Sequence, residues 1–164
     1  MKSKIIYFLK EIVIFVILLI VFVNIISIYK TKNISNSELN LTTISLIQNE
    51  QYDINNTKPL LIHIWATWCP TCRLEASNIE KISKTFQVIT IAVKSGSDKE
   101  IKRYMEENNF SFKVHNDKNG SLSKKFNIPA YPTTLIYDKN KKLIFSDVGY
   151  TSTIGLYFRM LWAK

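Results

Sequence analysis

The sequence predicts an α/β fold, in which helices flank a central mixed β-sheet and one N-terminal transmembrane helix precedes the domain. Three observations predict this fold. They are a strand–helix–strand pattern over residues 60–94, a later strand pair with a closing helix, and an apolar N-terminus. Since 164 residues support one domain of ordinary size, we expect three parts. These are a membrane anchor at residues 1–29, a polar linker at 30–43 and a folded domain at 44–164.

The predicted anchor is long enough to cross a bilayer. As a helix, Ile12 to Tyr29 would extend about 27 Å at ~1.5 Å per residue, which is near the hydrocarbon thickness. The apolar run is long for a signal peptide, and no small-x-small cleavage site follows it. We therefore predict an uncleaved signal anchor in the inner (cytoplasmic) membrane, with a single span. The C-terminal domain would then face the periplasm or an equivalent extracytoplasmic space.

Patterning predicts the elements of the domain in chain order. The first half contains an edge strand at 46–54, a buried strand at 60–66, a helix at 71–84 and a second buried strand at 87–94. The second half contains a helix, a short strand, a short helix and a hairpin, at 98–109, 112–115, 121–126 and 133–137 with 143–148.

The closing helix is predicted to start after Thr151 or Ser152. Five large apolar residues recur in it at helical spacing, Ile154, Tyr157, Phe158, Leu161 and Trp162. Such a face usually packs against a core, so we expect these side chains to be buried.

The chain contains only two cysteines, Cys69 and Cys72, and both lie at the first strand-to-helix junction. A thiolate is the nucleophile of thiol–disulfide exchange, and a helix N-terminus stabilises an anion. We therefore expect Cys69 to be the attacking thiol and Cys72, one turn further, to be the resolving thiol. Pro70 suits the first helical position, where its missing N–H costs no hydrogen bond. Trp68 and Thr71 complete this motif.

Two other uses of the cysteine pair fit the sequence less well. A structural disulfide closing so short a loop would constrain little of the unfolded chain. A zinc or copper site needs more soft ligands, and neither His63 nor His115 has a suitable spacing. We expect no metal and no bound cofactor apart from the redox-active Cys69–Cys72 disulfide.

The net charge of +9 arises from 22 basic and 13 acidic residues spread along the chain. Nucleic-acid binding is one interpretation of such a balance, but no basic stripe with interleaved aromatics is present. We expect a solvated surface close to anionic lipid headgroups and no nucleic-acid partner.

The W-C-x-x-C motif after an apolar strand, with a proline starting a later strand, resembles the thioredoxin superfamily. This resemblance implies a thioredoxin-like fold and a cis-proline beside the dithiol. Pro132 matches the place of that proline better than Pro129 does, because Thr133, Thr134 and an apolar strand follow it. Pro132 and Tyr131 would then position the backbone of a partner protein.

The layout is similar to that of the TlpA and ResA type of membrane-anchored thiol–disulfide oxidoreductases. It most resembles the ScsD-like group, named for suppression of copper sensitivity, through three blocks at 95–98, 116–123 and 149–162. The Cys-Pro-Thr-Cys motif also resembles the CcmG or DsbE reductases of cytochrome c maturation. Their Gly-Val-Tyr-Gly-Ala-Pro-Glu segment before the cis-proline is absent, however, since residues 126–132 read Phe-Asn-Ile-Pro-Ala-Tyr-Pro.

The proton chemistry departs from that of thioredoxin at one position. Thioredoxin has a buried aspartate six residues before its first cysteine, whereas this chain has His63. His63 could relay a proton to Cys72 or could be a core residue that hydrogen-bonds a neighbour. Lys94, at the end of the next strand, matches a lysine that thioredoxins often place near that acid. We expect Glu75 and Glu80 to face solvent.

The predicted function is that of an enzyme, a membrane-anchored protein disulfide oxidoreductase, with the reductase or isomerase direction favoured. Its partners would be exported cysteine-containing proteins and, as the resemblance implies, a membrane thiol carrier of the DsbD or CcdA type. The alternatives are a cytochrome c maturation thiol reductase and a Cu(I)-handling module, in which the two thiolates would hold copper.

Overall fold

The computed structural model describes residues 7, 10–15, 18, 42–47, 50–54 and 57–164. Its first strands form a short antiparallel hairpin, β1 (Thr43–Ser45) and β2 (Gln51–Asp53). The sequence predicted one edge strand over 46–54, and this prediction is wrong, because the apolar residues Leu46 and Ile54 lie outside both strands. Both are buried and anchor the hairpin on the core.

A five-stranded mixed sheet occupies the centre of the domain, as predicted. Its strands in chain order are β3 (Leu60–Trp65), β4 (Gln87–Val93), β5 (Lys113–Asp117), β6 (Thr133–Tyr137) and β7 (Leu143–Val148). Their spatial order is β5-β4-β3-β6-β7, with β3, β4 and β5 parallel and β6 antiparallel to both of its neighbours. Strand β3 is central and entirely buried, which agrees with a sequence that is apolar at every position except His63.

The helices connect the strands and close the domain. They are α1 (Pro70–Ser83), α2 (Asp98–Glu107), α3 (Ser121–Lys125) and α4 (Thr153–Trp162). Ser97 and Glu100 form a capping box at the start of α2, and the Ser152 hydroxyl accepts a hydrogen bond from the Gly155 N–H at the start of α4. Helices α1, α2 and α4 therefore begin where the sequence supplies a capping side chain or a proline, whereas α3 follows Gly120 without a side-chain cap.

Two hydrophobic clusters lie on the two faces of the sheet. One contains buried residues of α1, α2 and α4, packed against β3 side chains such as Leu61 and Trp65. The other contains the hairpin residues and Phe126, which follows α3, packed against Ile62 and Ile64 of β3. The alternation along β3 thus places helices on both faces, which confirms the predicted α/β layers.

The predicted packing of the last helix is wrong. Leu156, Met160 and Ala163 face the core, whereas the predicted face, headed by Ile154 and Trp162, is largely exposed. Both sides of this helix are apolar, so spacing alone did not distinguish them.

Hydrogen bonds between α1 and the start of α4 accompany this packing. The Asn78 amide of α1 donates to the Thr151 carbonyl at 3.0 Å, and the Thr153 hydroxyl donates to Asn78 Oδ1 at 2.8 Å. These bonds hold the start of α4 against α1, and the Leu156 and Met160 stripe faces the core.

Most of the predicted anchor lies outside the described residues. Residues 10–15 are helical and exposed, and so are residues 7 and 18. Within the described ranges, none of the helices combines the length and apolar character needed to cross a membrane. The predicted boundaries at residues 29 and 43 stay predictions.

Candidate functional site

Cys69 caps helix α1 with its own sulfur. Its backbone is extended (φ −88°, ψ 116°), and Sγ accepts a hydrogen bond from the Cys72 N–H at 3.3 Å. Pro70 occupies the first helical position and is exposed, and Thr71 is half-buried. The thiol sulfur therefore lies among the unpaired N–H groups of the helix start, where negative charge is favoured. This is the geometry that the strand-to-helix junction predicted.

Cys72 lies one turn further along α1 and is more deeply buried than Cys69. Both are free thiols, with 1% of Cys72 and 6% of Cys69 exposed. Burial raises the pKa of the Cys72 thiol well above its usual value, and the hydrogen bond with Cys69 and the charge of Glu75 raise it further. Cys72 is thus a protonated, shielded thiol that needs a proton acceptor before it can attack.

The Tyr131–Pro132 segment lies against Cys69. The peptide bond between these residues is cis, as the resemblance implied, and Pro132 is buried at the start of β6. The Cys69 thiol donates to the Tyr131 carbonyl at a sulfur–oxygen distance of 3.6 Å. The Tyr131 hydroxyl bonds Ser123 Oγ at 2.7 Å, which connects this loop to α3. The structure therefore brings Cys69, Cys72 and Pro132 together at one end of the sheet.

Trp68 forms the exposed wall of the site. Its indole N–H donates to the Lys94 carbonyl at 3.1 Å, and its ring meets the Tyr131 ring edge-on at a centroid distance of 5.8 Å. Lys94 contributes its backbone here, in a left-handed conformation (φ 46°), while its side chain is exposed. The structure thus places Lys94 as an anchor for Trp68.

His63 lies on β3, on the sheet face that also carries Leu61 and Trp65. It is buried, and its Nδ1 is hydrogen-bonded to Thr134 Oγ1 at 3.0 Å. Burial lowers the pKa of the imidazole to about 3, so the ring is neutral at physiological pH. This hydrogen bond to a neighbour matches the core alternative, and a role for His63 in proton transfer stays a prediction.

Glu75 is the residue that sequence reasoning missed. The prediction that it faces solvent is wrong, since none of its surface is exposed. Among the residues that the structure describes, none gives either carboxylate oxygen a hydrogen bond of full geometry, although the Thr151 N–H lies near the group. Burial raises the pKa of Glu75 to about 8, with a further rise from Asp147 and partial opposition from the Thr151 N–H. Its spacing from Cys72 (i, i+3) was the available signal, because it places both residues on one helix face.

Glu80 is also not a freely solvated side chain. Its carboxylate accepts hydrogen bonds from the Ser111 N–H at 2.8 Å and the Phe112 N–H at 3.2 Å, and it pairs with Lys84 at 2.6 Å. Burial opposes these contacts, but together they lower the pKa of Glu80. Glu80 therefore connects α1 to the loop before β5, away from the dithiol.

Metal ligands do not cluster at the site. In the part of the chain that the structure describes, no group of three or more His, Cys, Asp or Glu side chains could hold a metal ion. The two thiols can exchange electrons, and the carboxyl group of Glu75, on the same side of α1, can exchange a proton.

Comparisons with known proteins match both the sequence and the fold. A family model described as AhpC/TSA family matches residues 31–146. A thioredoxin-like protein of Haemophilus influenzae is 29% identical over 131 residues, which cover 77% of this chain and 78% of that protein. The thiol:disulfide interchange protein DsbE of the same organism is 32% identical over 103 residues, covering 60% of this chain and 56% of DsbE.

Solved structures show the same fold. The pneumococcal exposed lipoprotein thioredoxin Etrx1 from Streptococcus pneumoniae superposes with a TM-score of 0.65 at 19% identity. The match covers 73% of this chain and 97% of the Etrx1 chain. The predicted thioredoxin-like fold is therefore confirmed.

Proposed function

This chain belongs to the AhpC/TSA family and is a thiol–disulfide oxidoreductase of the thioredoxin superfamily, and from this premise we propose a more specific function. The protein is held on the extracytoplasmic side of the cytoplasmic membrane by its N-terminal segment. There it reduces or isomerises disulfides of exported proteins through Cys69 and Cys72.

One contact carries the proposal, the 3.6 Å approach of the Cys69 sulfur to the Tyr131 carbonyl. A substrate strand laid along residues 130–132 would pair with this backbone and bring its own sulfur to Cys69. Trp68, which is 54% exposed, would cover the other side of such a strand. The site thus offers backbone recognition, which suits many unrelated proteins.

The reductive reaction uses both thiols in turn. The Cys69 thiolate attacks one sulfur of a substrate disulfide, which forms a mixed disulfide and releases the other substrate sulfur as a thiolate. Cys72 then transfers its proton to Glu75, attacks the Cys69 sulfur and releases the second substrate thiolate. The substrate gains two electrons, and the cysteine pair loses them as it forms the Cys69–Cys72 disulfide. A membrane thiol carrier of the DsbD or CcdA type would return these electrons.

A trapping experiment tests the enzyme site. Cys72→Ala should hold natural partners as mixed disulfides on Cys69, which can be recovered from cells and identified. The matched control is Cys69→Ala, which should trap little, because the remaining thiol is buried and protonated. Equal trapping by both variants, or none by either, would contradict these roles. A mixed disulfide with an exported protein other than an apocytochrome would support the general reductase.

The direction of the reaction is tested by an equilibrium titration against glutathione. A reductase should have a reduction potential more negative than about −200 mV. A value near about −120 mV, where strong oxidants of exported proteins lie, would contradict the reductive direction.

Anchoring is supported by the unbroken apolar run Ile12 through Val23. In a Cys69→Ser/Cys72→Ser background, Lys125→Cys would place one thiol on the exposed surface of α3. A membrane-impermeant maleimide should label it on intact spheroplasts. The control Lys2→Cys should be labelled only after lysis, and the reverse pattern would contradict the proposed orientation.

A narrower second candidate is a thiol reductase dedicated to cytochrome c maturation. The 32% identity with DsbE favours it, whereas the missing segment before the cis-proline disfavours it. Trapping of an apocytochrome alone by Cys72→Ala would establish this candidate. The ScsD-like grouping and the Cu(I)-handling alternative stay predictions from the sequence.

A further inference from the structure

Helix α4 exposes a large apolar face to solvent. Ile154 is 70% exposed, Phe158 66% and Trp162 80%, while Tyr157 and Leu161 are partly covered. Contiguous apolar surface of this kind is rare on soluble proteins unless something binds to it. In the part of the chain that the structure describes, no residue buries the three most exposed of these side chains.

A basic cavity of about 650 Å³ adjoins this face. Lys58 and Lys164 line it together with Phe86, and so does Lys84, whose charge is paired with Glu80. The Phe86 ring meets Tyr157 of α4 at a centroid distance of 5.3 Å, and Lys164 Nζ lies 5.6 Å from the Phe86 centroid. The apolar face and the lysines therefore form one continuous surface.

This surface lies at the end of the domain away from the dithiol. Helix α1 runs from its cap at Cys69 to its other cap at Lys84, a distance of about 22 Å at ~1.5 Å per residue. Tyr52, which also lines the cavity, pairs with Ile44 of β1. The chain therefore enters the domain from its N-terminal segment beside this same surface.

We propose that the exposed face of α4, with Lys58 and Lys164 beside it, docks onto an anionic lipid bilayer. Trp, Phe and Ile side chains would enter the boundary between headgroups and acyl chains, and the lysines would bind the headgroups. A symmetric contact with a second copy would instead bring two lysine sets together, which disfavours it. Docking would be a property additional to the proposed enzyme function, and it rests on the proposed anchor, which holds the domain at the membrane. Docking would point the dithiol away from the bilayer.

Trp162 can report the contact directly. The chain has three tryptophans, of which Trp65 is buried, so Trp68→Phe leaves Trp162 as the exposed one. This full-length variant is reconstituted into phosphatidylcholine vesicles with or without phosphatidylglycerol and recovered by flotation. Brominated lipids should quench its fluorescence roughly twofold when phosphatidylglycerol is present and little in its absence. A further Trp162→Phe change should abolish the quenched signal.

Charge variants separate the lysines from a general effect of charge. Lys58→Gln/Lys164→Gln should reduce the quenching, whereas the control Lys124→Gln/Lys125→Gln on α3 should not. Chain that floats with Trp162 unquenched would overturn docking while leaving the anchor intact, and dimers in light scattering would then identify a second copy as the occupant. If Trp162 is quenched but high salt releases the protein from the vesicles, the result would support docking and contradict the transmembrane anchor. Failure to float under any condition would overturn both.

Discussion

Burial raises the pKa of the Cys72 thiol, and the charge of Glu75, on the same side of α1, adds to that rise. Conversely, Glu75 is a buried carboxyl group, and burial raises its own pKa to about 8 although the nearby Thr151 N–H opposes the rise. A thiol that holds its proton and a carboxylate with an unusual affinity for one therefore lie one helical turn apart. This arrangement suits the proton transfer that the resolving step requires.

Glu75→Gln should slow resolution of the mixed disulfide by roughly 10²-fold, because the variant removes the proton acceptor. In the unchanged protein, the resolving rate should rise with pH as Glu75 deprotonates near its pKa of about 8. In the variant this rise should disappear, and the rate should then depend on pH only through the ionisation of the Cys72 thiol. Single-turnover kinetics with a disulfide peptide at several pH values measure both effects. Glu80→Gln is the control, and an unchanged pH profile in Glu75→Gln would contradict the role.

Glu75 should also make the domain less stable as the pH rises. Its pKa is about 8 in the folded state against 4.5 for an ordinary glutamate, so the folded state binds the proton more tightly. The stabilisation that comes from this tighter proton binding is therefore fully present below pH 4.5 and is lost as the pH rises from there to about 8. Between pH 6.5 and 8.5 the loss should be about 2 kcal/mol, and Glu75→Gln should not show it. Urea unfolding at both pH values tests this, and parallel changes in the two proteins would contradict it.

His63 should have the opposite effect. Its pKa is lowered from 6.5 to about 3 by burial, so the unfolded chain binds the proton more tightly. Stability should therefore fall as the pH drops below 6.5. The free energy of unfolding of the unchanged protein should lose about 1–2 kcal/mol more between pH 6.5 and 5 than that of His63→Gln. Since other groups titrate equally in both proteins, the difference isolates His63, and the absence of a difference would show that the ring is solvated.

Asn78→Ala should destabilise the domain by about 2–3 kcal/mol. The change leaves the Thr151 carbonyl and the Thr153 hydroxyl without the hydrogen bonds that connect α1 to α4. Chemical denaturation measures this loss. Asn108→Ala is the matched control, since that exposed amide donates to the Tyr104 carbonyl of its own helix end, and its loss should cost about 0.5 kcal/mol or less. Similar losses in both variants would contradict the proposed role of Asn78.

Local pattern was sufficient for the central sheet and the dithiol. Strand β3 is apolar at nearly every position, and Pro70 follows Cys69 where a helix can begin, so neighbouring residues alone indicated both features. Local pattern could not indicate the contact of Cys69 with Tyr131, because Tyr131 lies far along the chain. Only the resemblance to a family indicated that contact.

The wrong predictions share a cause in tertiary structure. Glu75 was expected to face solvent because its residue type is charged, yet its spacing from Cys72 and Ile79 places it on the buried side of α1. Helix α4 is apolar on two sides, and the sequence of that helix does not tell which one packs inward. The contacts that hold the start of α4 involve Asn78, which lies on another helix.

The cap of α1 makes the Cys72 amide a natural reporter of catalytic state. The Cys69 sulfur that receives this N–H is the atom that would bond a substrate and later Cys72. Each covalent change at that sulfur alters its charge and direction, and with them the protection of one backbone proton. Hydrogen exchange at a single amide would therefore follow turnover without a probe attached to the enzyme or its substrate.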